Sequence, residues 1–532
     1  MTLLAPSPAA KRLDTSDSLS CEKRLSPPLC IGPDTCLSAE NVERWAESAY
    51  PDARLSQTAR IAMDASVKRL EVLRECETPM YGVTTGFGPF VRFDSAEGGS
   101  ENHGAGLIAH LGAGWGPDAP PVVVWAAQLI RAQSLAQGYS GVAPALLEAY
   151  LELPRRGIAA CVPQIGSVGA SGDLIPLAHI ARVLTGDGAV YLAGERVAAQ
   201  TALVQTGLAP RALSGREALS LTNGTSFLTA YAALAISRSA RLLRRAEQIT
   251  GWAYRLLGAR SAALDARLHR ARGHKGQAQS ARNIRLEAAR FGPEWEDATR
   301  PLQEIYSLRC APQVLGACRE NLDFARRLVE CEINGVSDNP LLVPGPSDDA
   351  PPECLHGGNF HGQQVAFASD ALNAALTQAA VLAERQIDLL VTPGTTNEHA
   401  PLLLSWEPGP YSGVAGAQIT ATALVAEMRA HAQPHATFSI PTNAGNQDVV
   451  SMGTLAARQA FEQTERFAAV LSVLALTLAQ LDFLRRESRA SGRPSPVPPG
   501  LLPPNGFTGL RADRPLQSDI AHIAGHLLRV SD

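Results

Sequence analysis

The chain of 532 residues lacks most of the marks by which common protein classes are recognised. Its nine cysteines include no Cys-x-x-Cys pair, so their scatter gives no zinc-ribbon spacing and reads as reduced thiols in a cytoplasmic protein. The formal net charge of -4 supplies no broad positive field, which argues against nucleic acid as a partner. Long apolar runs are scarce. The longest, Phe467 to Leu481, spans about fifteen residues interrupted by Ser, Thr and Gln, short of the roughly twenty that a membrane helix needs, and reads as a buried helix. No basic-then-apolar leader follows Met1, because Leu3 and Leu4 give way to Pro, Ser and Lys. There is no His-Glu-x-x-His, no nucleotide-binding fingerprint in strand context and no lysine motif for pyridoxal phosphate, so neither a metal nor an external cofactor is expected. No fixed-period repeat is evident.

What is present is helix. A hydrophobic content of 45% lets a chain of this length bury a large core. Ala- and Leu-rich stretches predict helices from Val122 to Gln137, Val142 to Leu153 (closed by Pro154), Ser226 to Leu257, Gln364 to Leu390, Ile419 to His431 and Ser451 to Arg486. The fold class is mostly α. Residues 1–30, rich in Pro, Ser and charge, read as a disordered tail. Residues 31–220 form an N-terminal part, 221–490 a central long-helix bundle, and 491–532 a Pro/Gly-rich linker with a short final helix.

The most informative segment is Ile165-Gly-Ser-Val-Gly-Ala-Ser-Gly-Asp-Leu174. Its triplet Ala170-Ser171-Gly172 has the residue types for a backbone cyclisation. The Gly172 nitrogen attacks the Ala170 carbonyl, and dehydration of Ser171 leaves an exocyclic methylene, giving a methylidene-imidazolone. Gly166 and Gly169 suit the strained turn, and Pro176 fits the first turn of a helix starting after Asp173. Taken alone, the segment also fits a glycine-rich helix entry. A phosphate cradle fits worse, because the loop ends in Gly-Asp rather than Gly-Lys-Ser.

The same segment resembles the signature of the aromatic amino-acid lyase and aminomutase family, which deaminates or isomerises histidine, phenylalanine or tyrosine. Further motifs fall in the family's order: Tyr81-Gly-Val-Thr-Thr-Gly-Phe-Gly88, Glu217-Ala-Leu-Ser-Leu-Thr-Asn-Gly-Thr225, Gln303-Glu-Ile-Tyr-Ser-Leu-Arg309, Ser337-Asp-Asn-Pro340, Gly358-Asn-Phe-His361 and Asn446-Gln-Asp448. The resemblance implies a long-helix bundle with a smaller loop-rich N-terminal part carrying a catalytic tyrosine. It implies a methylidene-imidazolone made from Ala170, Ser171 and Gly172. By it, Tyr81 is the base, Tyr306 assists at the reacting centre, and Asn223 and Gln303 help hold electrophile and substrate. Phe360 packs beside the prosthetic group, while Leu174, Asn359, Asn446 and Gln447 line the pocket. It also implies a homotetramer with shared active sites. Independently, a carboxylate needs a bidentate clamp, which Arg309 offers, and Tyr306 three residues earlier shares its face on a helix. A neutral tyrosine is a weak base, so Tyr81 needs a positive local field to favour its phenolate.

Counting back from Gly114-Trp-Gly116, the family's selectivity pair falls on His110-Leu111, a combination similar to tyrosine enzymes. A histidine at the far end of an apolar pocket can hydrogen-bond a phenol, and leaving it unpaired penalises phenylalanine. His110 as a hydrogen-bonded core residue is the plainer alternative. The chain departs from the family at Glu101-Asn-His-Gly-Ala-Gly-Leu107, at Gln303-Glu304 and at Asn397-Glu-His-Ala-Pro401. The expected activity is elimination of ammonia from L-tyrosine, or L-phenylalanine, to give 4-coumarate or cinnamate. A tyrosine or phenylalanine 2,3-aminomutase, a histidine ammonia-lyase and an inactive helical scaffold are the alternatives.

Overall fold

The computed structural model describes residues 28–93, 100–290, 292, 295–347, 349–396, 400–488, 497, 500–503 and 505–530. Among them are seventeen α-helices and nine short strands. The strands form small separate sheets of two or three members, so the architecture is mostly α, as the sequence implies.

Four long helices make the core: Ser226–Leu257, Ala311–Asn334, Gln363–Val391 and Gly453–Ser488. Their mutual packing explains their composition. From Phe467 to Leu481 every residue but Ala469 is buried or nearly so, because neighbours cover this helix on all sides. Cutting Leu474, which is fully buried, to alanine would cost about 2–5 kcal/mol through lost burial and an incompletely closed cavity. Two of the core helices, Gln363–Val391 and Gly453–Ser488, are long and apolar enough to cross a membrane, but 67% and 89% of their most apolar windows lie inside the protein.

Local signals set the ends. Ser214 and Glu217 form a reciprocal capping box that starts Gly215–Thr222, and this helix stops at Asn223. Ser226–Leu257 ends where Gly258 takes the left-handed conformation at φ +65°. Pro154 does not close its helix as expected. Pro144–Arg155 runs one residue past it, since a proline near the last turn loses only one backbone donor. The helix expected from Ile419 begins at Ala415. Residues 1–27 of the expected tail lie outside the described residues, and Leu29–Ile31 is a strand paired in parallel with Ala53–Leu55.

Candidate active site

Four helix N-termini meet around the Ala170-Ser171-Gly172 loop. Leu174–Leu184 starts directly after it. Gly362, preceding Gln363–Val391, donates its N–H to the Gly169 carbonyl at 3.1 Å. Met452, preceding Gly453–Ser488, donates to the Val168 carbonyl at 2.9 Å, and Ser451 Oγ to the Gly169 carbonyl at 2.8 Å. Each N-terminus carries the positive end of a peptide dipole, so the loop sits where negative charge is favoured.

The fourth N-terminus explains Asp173. Although it precedes Leu174–Leu184, its carboxylate does not cap that helix. Its Oδ2 instead accepts the Leu228 N–H at 2.7 Å, in the first turn of Ser226–Leu257. Its Oδ1 accepts from Ser167 Oγ at 2.8 Å and Thr454 Oγ1 at 2.7 Å. Burial pushes the carboxyl up to about 6, and these donors hold it from rising further. Asp173 thus staples the loop to two core helices.

Gly172 and Gly224 meet backbone to backbone. Asp173 N–H donates to the Gly224 carbonyl at 2.8 Å. Gly172 has φ +66°, and a Cβ on it would lie 2.0 Å from that same oxygen. A Cβ on Gly224 would meet Arg131 Nη1 at 2.1 Å. Below them Arg131 and Arg216 share the buried Asp338, with Arg216 Nη2 donating to Oδ2 at 2.7 Å. Asn223 donates through Nδ2 to the Asn339 carbonyl at 2.9 Å, while its Oδ1 is buried without a partner. A closely packed glycine backbone beside a free buried acceptor and under convergent dipoles suits a compact, electron-withdrawing ring. The residues therefore fit the methylidene-imidazolone that the triplet implies.

Over this loop opens a cavity of about 740 Å³. Of the residues singled out from the sequence, Tyr81, His110, Leu111, Ser171, Leu174, Asn223, Phe360, Asn446 and Gln447 line it. Ala170 and Gly172 flank Ser171. Gln447 Nε2 donates to Ser171 Oγ at 2.7 Å. His110 Nδ1 faces the Gly106 carbonyl at 3.2 Å, and since a carbonyl only accepts, Nδ1 carries the proton and Nε2 is left as an acceptor in the neutral ring.

Tyr81 lies in a loop closed on itself, its phenol oxygen accepting the Gly88 N–H at 2.7 Å. Burial pushes the phenol above its ordinary value, and the Gly88 N–H only partly opposes this. The positive field expected at Tyr81 is thus outweighed by burial within one chain.

Gln303, Tyr306, Arg309 and Asn359 are outside the cavity lining of the single chain. Arg309 Nη1 donates to Gln303 Oε1 at 2.7 Å, and its guanidinium lies over the Tyr306 ring, 4.8 Å from the centroid. The three therefore form one cluster, on the helix Tyr306–Arg309 and the loop before it. That cluster projects outward, with Leu302 90% and Tyr306 68% exposed. Asn359 Nδ2 donates to the Val336 carbonyl at 3.2 Å.

The sequence reading passed over Phe87, His103 and Asn443, which also line the cavity. His103 stacks on Phe87 with centroids 4.3 Å apart. It precedes Leu107 and His110 by four and seven positions, so helical spacing would have found it. Among the described residues no group of three or more His, Cys, Asp or Glu is placed to hold a metal ion.

The mostly helical fold sets a glycine-packed Ala-Ser-Gly loop under helix N-termini and a tyrosine loop onto one cavity, the arrangement of an enzyme site for a small molecule. Residues 37–497 match the model of the aromatic amino acid lyase family. A tyrosine ammonia-lyase of Cereibacter sphaeroides is 41% identical over 90% of this chain and 93% of its own. A histidine ammonia-lyase of Gloeobacter violaceus is 38% identical over 93% and 96%. The solved tyrosine aminomutase from Streptomyces globisporus superposes with a TM-score of 0.84 at 33% identity, covering 94% of this chain and 97% of that one. The chain belongs to the aromatic amino acid lyase family, and is a carbon–nitrogen lyase enzyme.

Proposed function

We propose that this enzyme is an ammonia-lyase acting on L-tyrosine, and less well on L-phenylalanine, to release 4-coumarate or cinnamate. The observation that carries the reading is His110. Its Nδ1–H is spent on the Gly106 carbonyl, so Nε2 presents an acceptor to the cavity, matched to a phenolic O–H. A substrate without that donor leaves the acceptor unpaired.

The methylidene-imidazolone expected from Ala170, Ser171 and Gly172 supplies an electron sink for the substrate nitrogen. Gln447 bonds Ser171, and Asn223, next to the Gly224 that packs on Gly172, offers its unpartnered Oδ1 to the triplet. Tyr81, as phenolate, takes the β-hydrogen, and the Gly88 N–H stabilises the charge on its oxygen. Phe360, Leu111 and Leu174 enclose the aromatic ring, and Asn446 adds a polar edge. Arg309 clamps the substrate carboxylate, with Gln303 and Tyr306 orienting it. Because this trio projects outward from one chain, it serves the cavity of another subunit in a homotetramer. The exposed Leu302, Ile305 and Tyr306 give the apolar face that such docking would cover. Within one chain burial holds the Tyr81 phenol above its ordinary value, and the partner's Arg309 brings the positive charge that opposes this. The eight described cysteines are all free, which agrees with a cytoplasmic protein.

A tyrosine 2,3-aminomutase is the second reading, favoured by the likeness to the Streptomyces globisporus enzyme. The two differ in whether the unsaturated acid leaves or is held for return of the amine. Incubation with L-tyrosine, L-phenylalanine and L-histidine in parallel, with products resolved by chromatography, tests the proposal. Release of 4-coumarate and ammonia from L-tyrosine supports it. Predominant β-tyrosine would move the assignment to the aminomutase, and preferred turnover of L-histidine would overturn the role given to His110.

A further inference from the structure

The tyrosine loop and the electrophile are joined by hydrogen bonds that pass through a side chain with no role so far. His356 follows the strand Glu353–Leu355, and its Nε2 accepts the backbone N–H of Tyr81 at 3.1 Å. Cys354 Sγ lies 3.8 Å from the same nitrogen. Burial holds the Cys354 thiol above its ordinary value, so it faces His356 as a donor. Two donors aimed at one ring nitrogen require that nitrogen to be unprotonated, which fixes the Nδ1–H tautomer. One residue further on, Gly357 N–H donates to Asn339 Oδ1 at 2.7 Å. The Asn339 carbonyl in turn accepts from Asn223, beside the Ala170-Ser171-Gly172 triplet. Residues 356 and 357 are thus tied at one end to Tyr81 and at the other to Asn223.

The neighbouring amides behave differently. Gly82, Val83, Thr84, Gly86 and Gly88 donate to acceptors within the tyrosine loop itself, whereas the Tyr81 N–H reaches out to His356. Gly82 at φ +68° and Gly88 at φ +57° shape the turns of the loop, and Phe87 stacked on His103 packs one side of it. The external acceptor on the Tyr81 amide ties the loop at the residue where placement matters most.

We propose that His356 is a positioning residue: by accepting the Tyr81 N–H it fixes the base relative to Asn223 and the electrophile. The proposal rests on Tyr81 being the base. The test compares His356→Leu and His356→Phe, which lack the acceptor, with His356→Gln, whose Oε1 can replace Nε2. All are assayed as assembled full-length enzyme on L-tyrosine, with Tyr81→Phe as control. Misplacing a reacting group by about an ångström costs up to about a hundredfold, so the acceptor-free variants should lose about ten- to a hundredfold in kcat. Their KM should change little, thermal midpoints should stay near the parent's, and the triplet should still lose two waters by intact mass. His356→Gln should recover most of the loss. Unchanged kcat in the acceptor-free variants, or a glutamine variant no better than they are, would overturn the proposal. Full activity in Tyr81→Phe would instead overturn the assignment of the base.

Discussion

Gln447 and Ser171, 276 positions apart in the chain, are joined by a 2.7 Å hydrogen bond from the amide Nε2 to the hydroxyl oxygen. Ring closure expels the Ala170 carbonyl oxygen, and the dehydration of Ser171 would then expel this hydroxyl as the second water, so a donor already resting on it stabilises the departing hydroxide. Gln447→Leu should therefore slow maturation. Mass spectrometry at fixed times after synthesis should find the share of dehydrated chains lowered about tenfold or more, in line with loss of one such donor. Parent-like maturation would show that Gln447 serves only the mature pocket.

The contact of Gly172 with Gly224 leaves no room for a side chain on either. Gly172→Ala places a methyl 2.0 Å from a carbonyl oxygen at a positive φ, and Gly224→Ala drives one into Arg131. Each should cost at least about 2 kcal/mol from overpacking, with Gly172→Ala adding backbone strain. Thermal melts of both variants check this. A melting point within a degree of the parent's would mean that the loop has slack the packing does not reveal.

His110 presents an acceptor, so the chemistry of the para substituent should govern turnover. His110→Phe should lower kcat/KM for L-tyrosine about a hundredfold or more while L-phenylalanine holds or gains, because the polar partner is withdrawn and an apolar wall replaces it. With the parent enzyme, 4-methoxyphenylalanine, which cannot donate, should be a poorer substrate than 4-aminophenylalanine, which can. The reverse order in steady-state kinetics would contradict the tautomer read from the Gly106 contact.

Asp173 makes stability depend on pH. Its carboxyl is raised from 3.8 to about 6 in the folded protein, so between these values the folded state binds the extra proton. Stability from this group is therefore greatest below about pH 4 and is lost as pH rises towards 6, a change on the order of 3 kcal/mol. Asp173→Asn cannot ionise. Subtracting its melting curve from the parent's across pH 4–7 should isolate a step in that window, and no step would place the carboxyl at an ordinary value.

The long helices were legible because their neighbours are also helices and side-chain period alone decides them. Ser226–Leu257 falls where the sequence places it, and Gln363–Val391 and Gly453–Ser488 within two residues at each end. Ala415–Ala430 starts four residues before the sequence implies, because Gly413 and Gly416 blur its beginning. The work of Asp173 was not legible at all, since its partners Leu228 and Thr454 come from helices 55 and 281 positions away. Tyr81, Ser171, Asn223, Phe360 and Gln447, linked in the sequence only by motif order, line one cavity. It could not say that Gln303, Tyr306 and Arg309 stand apart in one chain, because a motif carries chemistry but no chain-to-chain geometry. His103 was missed for another reason: it lies in a stretch where the chain departs from its family, and there only helical spacing speaks.

The central claim is that Ala170, Ser171 and Gly172 condense into the electrophile on which catalysis depends. Its most direct test is mass spectrometry of the peptide spanning residues 163–182, cut from purified active enzyme. The account predicts a peptide lighter by two waters, with a Ser171→Ala protein that keeps at least one of them and releases no ammonia from L-tyrosine. An active enzyme whose peptide has the full unmodified mass would contradict it.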